Sequence, residues 1–512
     1  MGLHEPARWQ GSVSERTFIQ LGLALLCGLM LCACAAKGGP PPETRAQRPD
    51  ACTAFLDRLD SAVQQAEVRD ASSFDVHGFP YLRTDRFLAA QSEGLTGPFQ
   101  KRLWLELLLQ EHLQSRRKEV SCLPMEVRLE LAELAGVQPG VDALLDEVED
   151  CSRALLAVDI LSPEFYPALA QSVTAPEEYS LALRAAGVYP LTSLPVAWLT
   201  ARAHDRMRDW HKQELGDFEV FGELVRYAPR AESTLPREAV REMLEEAGHN
   251  ALGLPRLEPK QVRRLAEAFA PIILQDVVAD YDSIGRVRWQ GEALEVEGDR
   301  PTLYYYVSYA FFRQQPVLQI NYAGWYPGRQ GPNAPFLEKG DLDGFTVRVS
   351  LDGRGRPFMV DIMNNCGCYH FFVPARDRVA RIKAQPLAFD AFVPTWLPEA
   401  FPDKGLVLRM NTGWHQVQKV TAGESPGREV GYTLLPYREL EMLPSDGRRR
   451  SMFDARGIAK GSERIEPVLL FGMGIPEVGA MRQRNRHALR LVGRAHFANP
   501  WLFERYFEFV EE

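Results

Sequence analysis

The sequence lacks long apolar runs, an excess of basic residues and the common short motifs of metalloenzymes and nucleotide-binding enzymes. No segment reaches 18 uninterrupted apolar residues, so no stretch is typical of a bilayer-spanning helix. Lys and Arg total 59 against 68 Asp and Glu, and the resulting net charge of -9 argues against nucleic acid as a partner. His-Glu-x-x-His, the P-loop and the zinc-finger quartet are all absent. The charge balance thus argues against a nucleic-acid-binding protein. The missing motifs argue against a His-Glu-x-x-His metalloprotease, a P-loop enzyme and a zinc finger.

The chain nevertheless has enough apolar material for large cores. Hydrophobic residues make up 46% of its 512 residues. A chain of this length and composition usually divides into two or more domains. We therefore expect a folded, multidomain body.

The first 36 residues combine an apolar run with a cysteine motif. The segment 18–31 is apolar except for Gln20, and Leu31-Cys32-Ala33-Cys34 follows it directly. This arrangement resembles the lipobox of bacterial lipoproteins, and it implies a signal peptide over 1–33 and lipidation of Cys34. An ordinary signal peptide cleaved near Ala33 or Ala35, or a short uncleaved anchor, is the alternative.

Residues 34–50 predict a lipidated, flexible tether. The segment 37–50 reads KGGPPPETRAQRPD, and such a Pro-, Gly- and charge-rich stretch cannot bury apolar area. The lipobox resemblance implies a membrane as partner, reached through the lipid on Cys34. Ala35, in place of Asp, further implies an outer-membrane position facing the periplasm if the cell is Gram-negative.

Five cysteines follow Cys34, and an odd number leaves one thiol over if the rest pair. Cys122 with Cys151, or either of them with Cys52, is a plausible disulfide. The other two are Cys366 and Cys368. The sequence does not decide the pairing.

The spacing of apolar residues changes near residue 275. Leucine-rich stretches at helical spacing predict a mostly helical domain over 51–274. Alternating apolar and polar residues predict an antiparallel, β-rich α+β domain over 275–512, whose last 35 residues return to helix-like periodicity. The predicted elements are helices near 126–135, 141–157, 176–186, 196–213 and 259–274, and strands near 303–312, 317–325, 345–351, 406–410, 416–420 and 430–435.

The densest chemical signal is Asn364–Phe372, which reads NNCGCYHFF. If a strand from Phe358 continues through it, Cys366, Cys368 and His370 share one face. Two thiolates and an imidazole suit zinc or copper, and His415 is a candidate fourth ligand. A local disulfide, or small core cysteines beside a buried histidine, is the structural alternative. The segment faintly resembles parts of uncharacterised bacterial proteins, and this likeness implies no activity.

Two carboxylates near this segment are candidate acid–base groups. Asp343 lies in Gly-Asp-Leu-Asp-Gly, and Asp361 lies on the strand face opposite Cys366. Such groups transfer protons in many enzymes. A polar turn before a strand is the structural alternative for Asp343.

Four arginines recur every four residues near the C-terminus. On a helix, Arg482, Arg486, Arg490 and Arg494 would form one stripe able to bind anionic lipid or an acidic partner. A solvated face with ion pairs is the alternative. The aromatic segment that follows, 501–509, is expected to pack on the core. Contact with a membrane interface is the alternative.

Two hypotheses of function follow. The first is a membrane-tethered envelope lipoprotein that binds another envelope component or has a structural role. The alternative is a metal-dependent enzyme, a hydrolase for example, with zinc held by Cys366, Cys368, His370 and His415. The first is favoured because no complete catalytic constellation is found.

Overall fold

The computed structural model describes residues 50–230, 235–386 and 388–511. The predicted signal peptide, Cys34 and all but the last residue of the predicted tether lie outside the described residues. Gln47–Glu512 forms one compact unit. Within the described ranges, no helix is both long and apolar enough to cross a membrane.

Twelve helices occur in the described part of the chain. Apolar residues at helical spacing give most of them one buried face, as Leu56, Leu59 and Val63 do in the first. The helices are α1 (Asp50–Gln65), α2 (Arg86–Gln91), α3 (Pro98–Cys122), α4 (Met125–Ala135), α5 (Val141–Asp159), α6 (Phe165–Ser172), α7 (Leu181–Ala186), α8 (Tyr189–Lys212), α9 (Arg237–Ala247), α10 (Pro259–Ala268), α11 (Pro467–Leu470) and α12 (Leu502–Tyr506).

Helices α1 to α6 share one hydrophobic core. Leu108 and Leu109 of α3 and Val148 of α5 are fully buried in it. A disulfide between Cys52 and Cys151 ties α1 to α5, with a Cα–Cα distance of 5.0 Å. Cys122 stays a free thiol, and burial raises its pKa to about 12. One of the expected pairings is therefore present.

Eighteen strands occur in the described residues. They are β1 (Phe74–Asp75), β2 (Arg83–Thr84), β3 (Glu223–Pro229), β4 (Ile272–Val277), β5 (Arg286–Gln290), β6 (Ala293–Glu297), β7 (Thr302–Phe312), β8 (Gln315–Arg329), β9 (Gly340–Leu351), β10 (Pro357–Asn364), β11 (Phe371–Pro374), β12 (Val379–Ile382), β13 (Leu406–Met410), β14 (Val417–Ala422), β15 (Arg428–Pro436), β16 (Leu443–Ser445), β17 (Arg448–Arg450) and β18 (Phe507–Phe509). The largest sheet has ten strands in the order β11-β10-β9-β8-β7-β15-β3-β4-β13-β14.

The α+β class is confirmed, but the sheet is mixed and not purely antiparallel. The β7 to β11 part is antiparallel throughout. Parallel pairings join β15 to β3, β15 to β7, and β13 to β4. Strands β3 and β4 begin before residue 275, and the helix expected to reach residue 274 ends at Ala268. The sheet therefore takes strands from both sides of the expected boundary.

Strand β9 is buried on both faces, although apolar and polar residues alternate along it. Its apolar face, from Phe345 to Leu351, packs in the main core with α9 and α10. On the other face Thr346, Arg348 and Ser350 are also buried. The C-terminal segment covers this polar face, and Arg348 donates to the carbonyl of Phe497 at 2.6 Å.

The expected C-terminal helical periodicity is wrong except for α12. Residues 481–496 contain only turns and isolated bridges, such as the one between Ala488 and His496. Asn485 and Gly493 take φ values of 69° and 91°, which no helix accepts. The backbone N–H of Arg482 donates instead to the carbonyl of Asn365 at 2.7 Å. Tertiary hydrogen bonds thus replace helical ones here.

Candidate functional site

The Cys-Gly-Cys motif lies in a turn, so the strand from Phe358 does not continue through it. Strand β10 ends at Asn364, and β11 returns antiparallel to it from Phe371. The N–H of Asn364 donates to the carbonyl of Cys368 at 3.0 Å, which closes the turn. Gly367 sits at φ 89°, and a Cβ there would lie 2.3 Å from the carbonyl oxygen of Ala488. The shared strand face expected for the two cysteines and His370 is therefore absent.

The two thiols of this turn are free and close together. Cys366 is buried and Cys368 is half-buried. The N–H of Cys368 donates to Sγ of Cys366 at 3.4 Å. The hydrogen bond with Cys366, together with burial, holds the pKa of the Cys368 thiol well above its ordinary value. Cys368 is thus a neutral thiol near pH 7.

His370 is held by one carboxylate and keeps one free nitrogen. Its Nε2 lies 2.9 Å from Oδ2 of Asp361, and Arg348 binds Asp361 through both carboxylate oxygens at 2.9 and 2.6 Å. Burial would raise the pKa of Asp361, but Arg348 and His370 hold it below its ordinary value. Burial lowers the pKa of His370 to about 4, and its buried Nδ1 has no hydrogen-bond partner. The neutral ring therefore donates from Nε2 and offers Nδ1 as an acceptor.

His415 belongs to a separate, fully paired cluster. Its Nδ1 lies 2.8 Å from Asp343 and its Nε2 lies 3.1 Å from Asp282. Burial would lower the pKa of His415, but hydrogen bonds to the two carboxylates raise it above its ordinary value. Arg329 binds Asp343 bidentately, both contacts being 2.9 Å. Both ring nitrogens of His415 are hydrogen-bonded to carboxylates, so neither is free to bind a metal. Asp343 forms an ion pair with Arg329.

The four candidate metal ligands are not brought together. Within the described residues, the one set of three or more potential ligand atoms in metal-binding proximity is Cys52, Glu147 and Cys151. Cys52 and Cys151 form the disulfide, so their sulfur atoms are not thiolates that could bind a metal. Cys366, Cys368 and His370 do share a cavity, while His415 lies outside its lining.

This cavity, which we call the α8 cavity, has a volume of about 200 Å³. Helix α8, the turn after β10 and the segments 466–478 and 488–492 enclose it. Most of its wall is apolar, supplied by Val196, Leu199, Phe389, Leu470, Ile475, Val478, Leu489, Leu491 and Val492. The polar residues of its lining are Thr200, His204, Glu338, Cys366, Cys368, Tyr369, His370, Glu466 and Arg490. An apolar cleft with a few convergent polar groups is typical of small-molecule sites.

The four arginines expected to form a stripe go to different places. Arg482 is buried and donates to the carbonyl of Pro476, and Arg486 lies 3.3 Å from Glu178. Arg494 is half-exposed, and Arg490 lines the cavity. The stripe is wrong because residues 481–496 are not helical.

Arg490 is the unusual member of this set. It is 5% exposed, and neither its Nε nor its Nη2 has a hydrogen-bond partner. The ring of Tyr506 lies 5.4 Å from its guanidinium. Its positive charge adds to burial in lowering the pKa of His204, to about 3, and of His370.

Glu338 and Glu466 contribute the acidic side of the cavity. Glu338 accepts hydrogen bonds from Arg329, Tyr369 and Trp414 at 2.5, 2.6 and 2.9 Å. Burial, with the nearby Glu338, raises the pKa of Glu466 to about 7. Glu466 therefore changes charge near neutral pH.

Sequence reasoning missed His204, Glu338 and Glu466. His204 lies on α8 and stacks on Phe392 with ring centroids 4.0 Å apart. In the sequence, only its place within a predicted helix could have drawn attention to it. No local motif marks either glutamate. Comparison of the chain with family models, curated proteins and solved structures found no match in any of the three.

Proposed function

We propose that the chain is a membrane-tethered envelope lipoprotein that binds a small amphipathic anion in the α8 cavity. The observation that carries the binding role is Arg490, a buried guanidinium with two donors that have no partner. The lipobox ending at Cys34 supports the tether. In this proposal region 51–274 supplies one wall of the cavity through α8, and region 275–512 supplies the rest.

An anion is the ligand that Arg490 requires. Burying a charge without a partner costs several kcal/mol, on the order of the penalty for an isolated ion in protein. A carboxylate or phosphate at Nε and Nη2 would offset that cost with charge-assisted hydrogen bonds. The neutral Nδ1 of His370 would accept a hydrogen bond from a hydroxyl on the same ligand.

The rest of the ligand is expected to be apolar. Eight leucine, isoleucine and valine side chains line the cavity, and an aliphatic or ring structure would lose water contact against them. Glu466 tunes this affinity, since its charge appears as the pH rises through about 7. We therefore expect anion binding to strengthen as the pH falls from 8 to 6.

Octanoate and octanol test this proposal as a matched pair. Both place an eight-carbon chain in the cavity, but only octanoate carries a charge for Arg490. We expect Arg490→Gln to weaken octanoate binding at least about tenfold, a loss of about 1.4 kcal/mol, and to leave octanol binding unchanged. Isothermal titration calorimetry measures both.

Arg494→Gln is the control, because Arg494 is near in sequence, half-exposed and outside the cavity lining. Octanoate binding that is equal in Arg490→Gln and Arg494→Gln would contradict the proposal. So would an equal loss of octanoate and octanol binding, because the cavity itself would then have changed.

One observation favours a metal-dependent enzyme as a second candidate. The thiols of Cys366 and Cys368 and the free Nδ1 of His370 line the same cavity. A Cys/Cys/His set suits zinc, although these three ligand atoms do not lie within metal-binding distance of one another and would have to move together on binding. His415 is excluded because both its nitrogens are paired. Metal content of protein purified without chelators decides this, and His370→Gln should abolish any stoichiometric zinc.

A further inference from the structure

An exposed apolar surface adjoins the α8 cavity. It consists of nine large side chains in two segments of the chain, and we call it the α8 face. Each is between 43% and 71% exposed. Its members are Leu181, Val188, Leu191, Leu194, Trp198, Leu199, Val468, Leu469 and Phe471. Exposed apolar patches of this kind mark interaction surfaces.

The two segments are locked together, so their side chains form one surface. The N–H of Ser180 donates to the carbonyl of Gly474 at 2.6 Å. Gly187 packs against Gly472 so closely that a Cβ on Gly187 would lie 2.1 Å from Cα of Gly472. Arg184 donates from Nε to the carbonyl of Met473 at 2.9 Å.

Helical spacing aligns the centre of the α8 face. Leu191, Leu194 and Trp198 are three and four residues apart on α8, which places them on one side of the helix. They are exposed, whereas Val196 is buried beneath them. Helix α8 therefore presents a second apolar side to its surroundings.

Charge distinguishes this surface from the rest of an acidic chain. No Asp or Glu occurs between Glu178 and Asp205, or between Glu466 and Glu477, although the chain holds 68 acidic residues. Arg202 and Arg206 are exposed at the end of the apolar run. The guanidinium of Arg202 lies 4.4 Å from the ring centroid of Trp198.

We infer that the α8 face docks on the surface of an anionic lipid bilayer. Leucine side chains with a tryptophan, flanked by arginine, are typical of interfacial membrane-binding helices. The arginines would meet lipid phosphates. Neither segment of the α8 face carries an acidic residue, and Asp205, exposed just beyond it, is paired with Arg208 at 2.8 Å. Leu199 belongs both to this face and to the cavity lining, so a docked molecule opens its cavity toward the acyl chains.

The docking surface itself does not depend on the proposed ligand, but the entry route from the bilayer rests on it. Membrane contact delivers amphipathic anions to the side of the cavity where Leu199 and Leu470 lie. The two proposals therefore fail separately in the test below.

Vesicle flotation tests the docking surface with a chain that begins at Gln47, where the compact unit starts. The vesicles are phosphatidylcholine alone or with 30% phosphatidylglycerol. We expect the unlipidated chain to float with the anionic vesicles, less with the neutral ones, and less again in high salt, about 1 M, where charges are screened within about 3 Å. The double variant L191Q/L194Q should bind at least about tenfold more weakly, because two leucines no longer leave water.

The matched control is L129Q/L134Q, which removes two leucines that are 46% and 56% exposed on α4. This control should float like the unmodified chain. Equal flotation of the two double variants, or no flotation of the unmodified chain, would overturn the docking proposal. A dimer seen by sedimentation velocity and lost in L191Q/L194Q would also overturn it, since a second copy would then occupy the face.

Arg490→Gln separates this proposal from the ligand proposal. It should float like the unmodified chain while losing octanoate affinity. Flotation without octanoate binding would remove the ligand proposal alone, and octanoate binding without flotation would remove the docking proposal alone.

Discussion

Two buried histidines in this molecule have nearly the same burial and opposite electrostatics. His415 contacts a carboxylate at each ring nitrogen, and its pKa is raised. His370 contacts one carboxylate, and burial lowers its pKa to about 4. The second carboxylate outweighs the cost of desolvation. The complete cluster stabilises the fold, whereas the incomplete one borders a cavity and retains a free acceptor.

The largest expected effect follows from breaking the complete cluster. Asp343→Asn leaves Arg329 and His415 buried beside an amide in place of a carboxylate, and we expect a loss of about 3–5 kcal/mol in the free energy of unfolding. Urea denaturation measures it. Asp341→Asn, an exposed neighbour on the same strand, is the control and should stay within about 0.5 kcal/mol of the parent. Similar losses in both variants would show that the cluster is not special.

The next effect is a difference in pH dependence. The folded pKa of His370, about 4, lies below its ordinary 6.5, so the unfolded chain binds more protons between these values and stability falls as the pH falls. Over this window the parent should lose up to about 3 kcal/mol relative to His370→Gln.

His415 should give the opposite slope. Its folded pKa lies above 6.5, so its contribution is fully present below 6.5 and is lost as the pH rises through the folded value. Relative to His415→Gln, the parent should therefore lose stability with rising pH. Chemical denaturation from pH 4 to pH 9 measures both differences, and slopes of the same sign would contradict the comparison.

A smaller effect should come from the turn that carries the incomplete site. Gly367→Ala forces a Cβ to within 2.3 Å of the Ala488 carbonyl at a φ of 89°, and we expect a loss of about 2 kcal/mol. Octanoate affinity should fall with it, since Cys366, Cys368 and His370 move together. Gly353→Ala, with no atom within 4 Å of the new Cβ, is the control. Thermal and urea unfolding measure the stability of both variants. Equal stability of Gly367→Ala and Gly353→Ala would show that the turn tolerates a side chain at position 367.

The smallest effect is a gain. Arg490→Gln removes a buried charge without a hydrogen-bonded partner, so the ligand-free protein should become more stable by about 1 kcal/mol. Arg494→Gln should change stability by less than about 0.5 kcal/mol. A clear destabilisation by Arg490→Gln in urea would show that the guanidinium has a structural partner and not a vacant ligand position.

Local patterns predicted the secondary elements well where packing agrees with them. Strand β13, Leu406–Met410, matches its prediction residue for residue, and α4 differs by one residue at its start. Both have apolar spacing that their surroundings satisfy. Segment 481–496 shows the limit, because arginines four apart imitate a helix while the backbone bonds to distant residues such as Asn365.

The sequence singled out three residues that line the α8 cavity, Cys366, Cys368 and His370, but it did not predict the cavity. The Cys-Gly-Cys-x-His motif lies at this cavity. The sequence could mark it because a glycine between two cysteines signals a tight turn, which is a local departure from regular structure. Its partners came from far along the chain: Arg490, Glu466 and His204 reach it through tertiary folding. Asp343 and His415 are 72 residues apart, and no local spacing indicates that they pair.

The disulfide between Cys52 and Cys151 also determines how mechanical load travels through the chain. Any pull from the residues before Asp50 enters at α1 and crosses at Cys52 into α5, bypassing the 99-residue separation between the two cysteines. Helices α2, α3 and α4 lie inside this covalent loop and bear no tension until the bond is reduced. An oxidised chain pulled from its N-terminal end should therefore gain no length from residues 53–150.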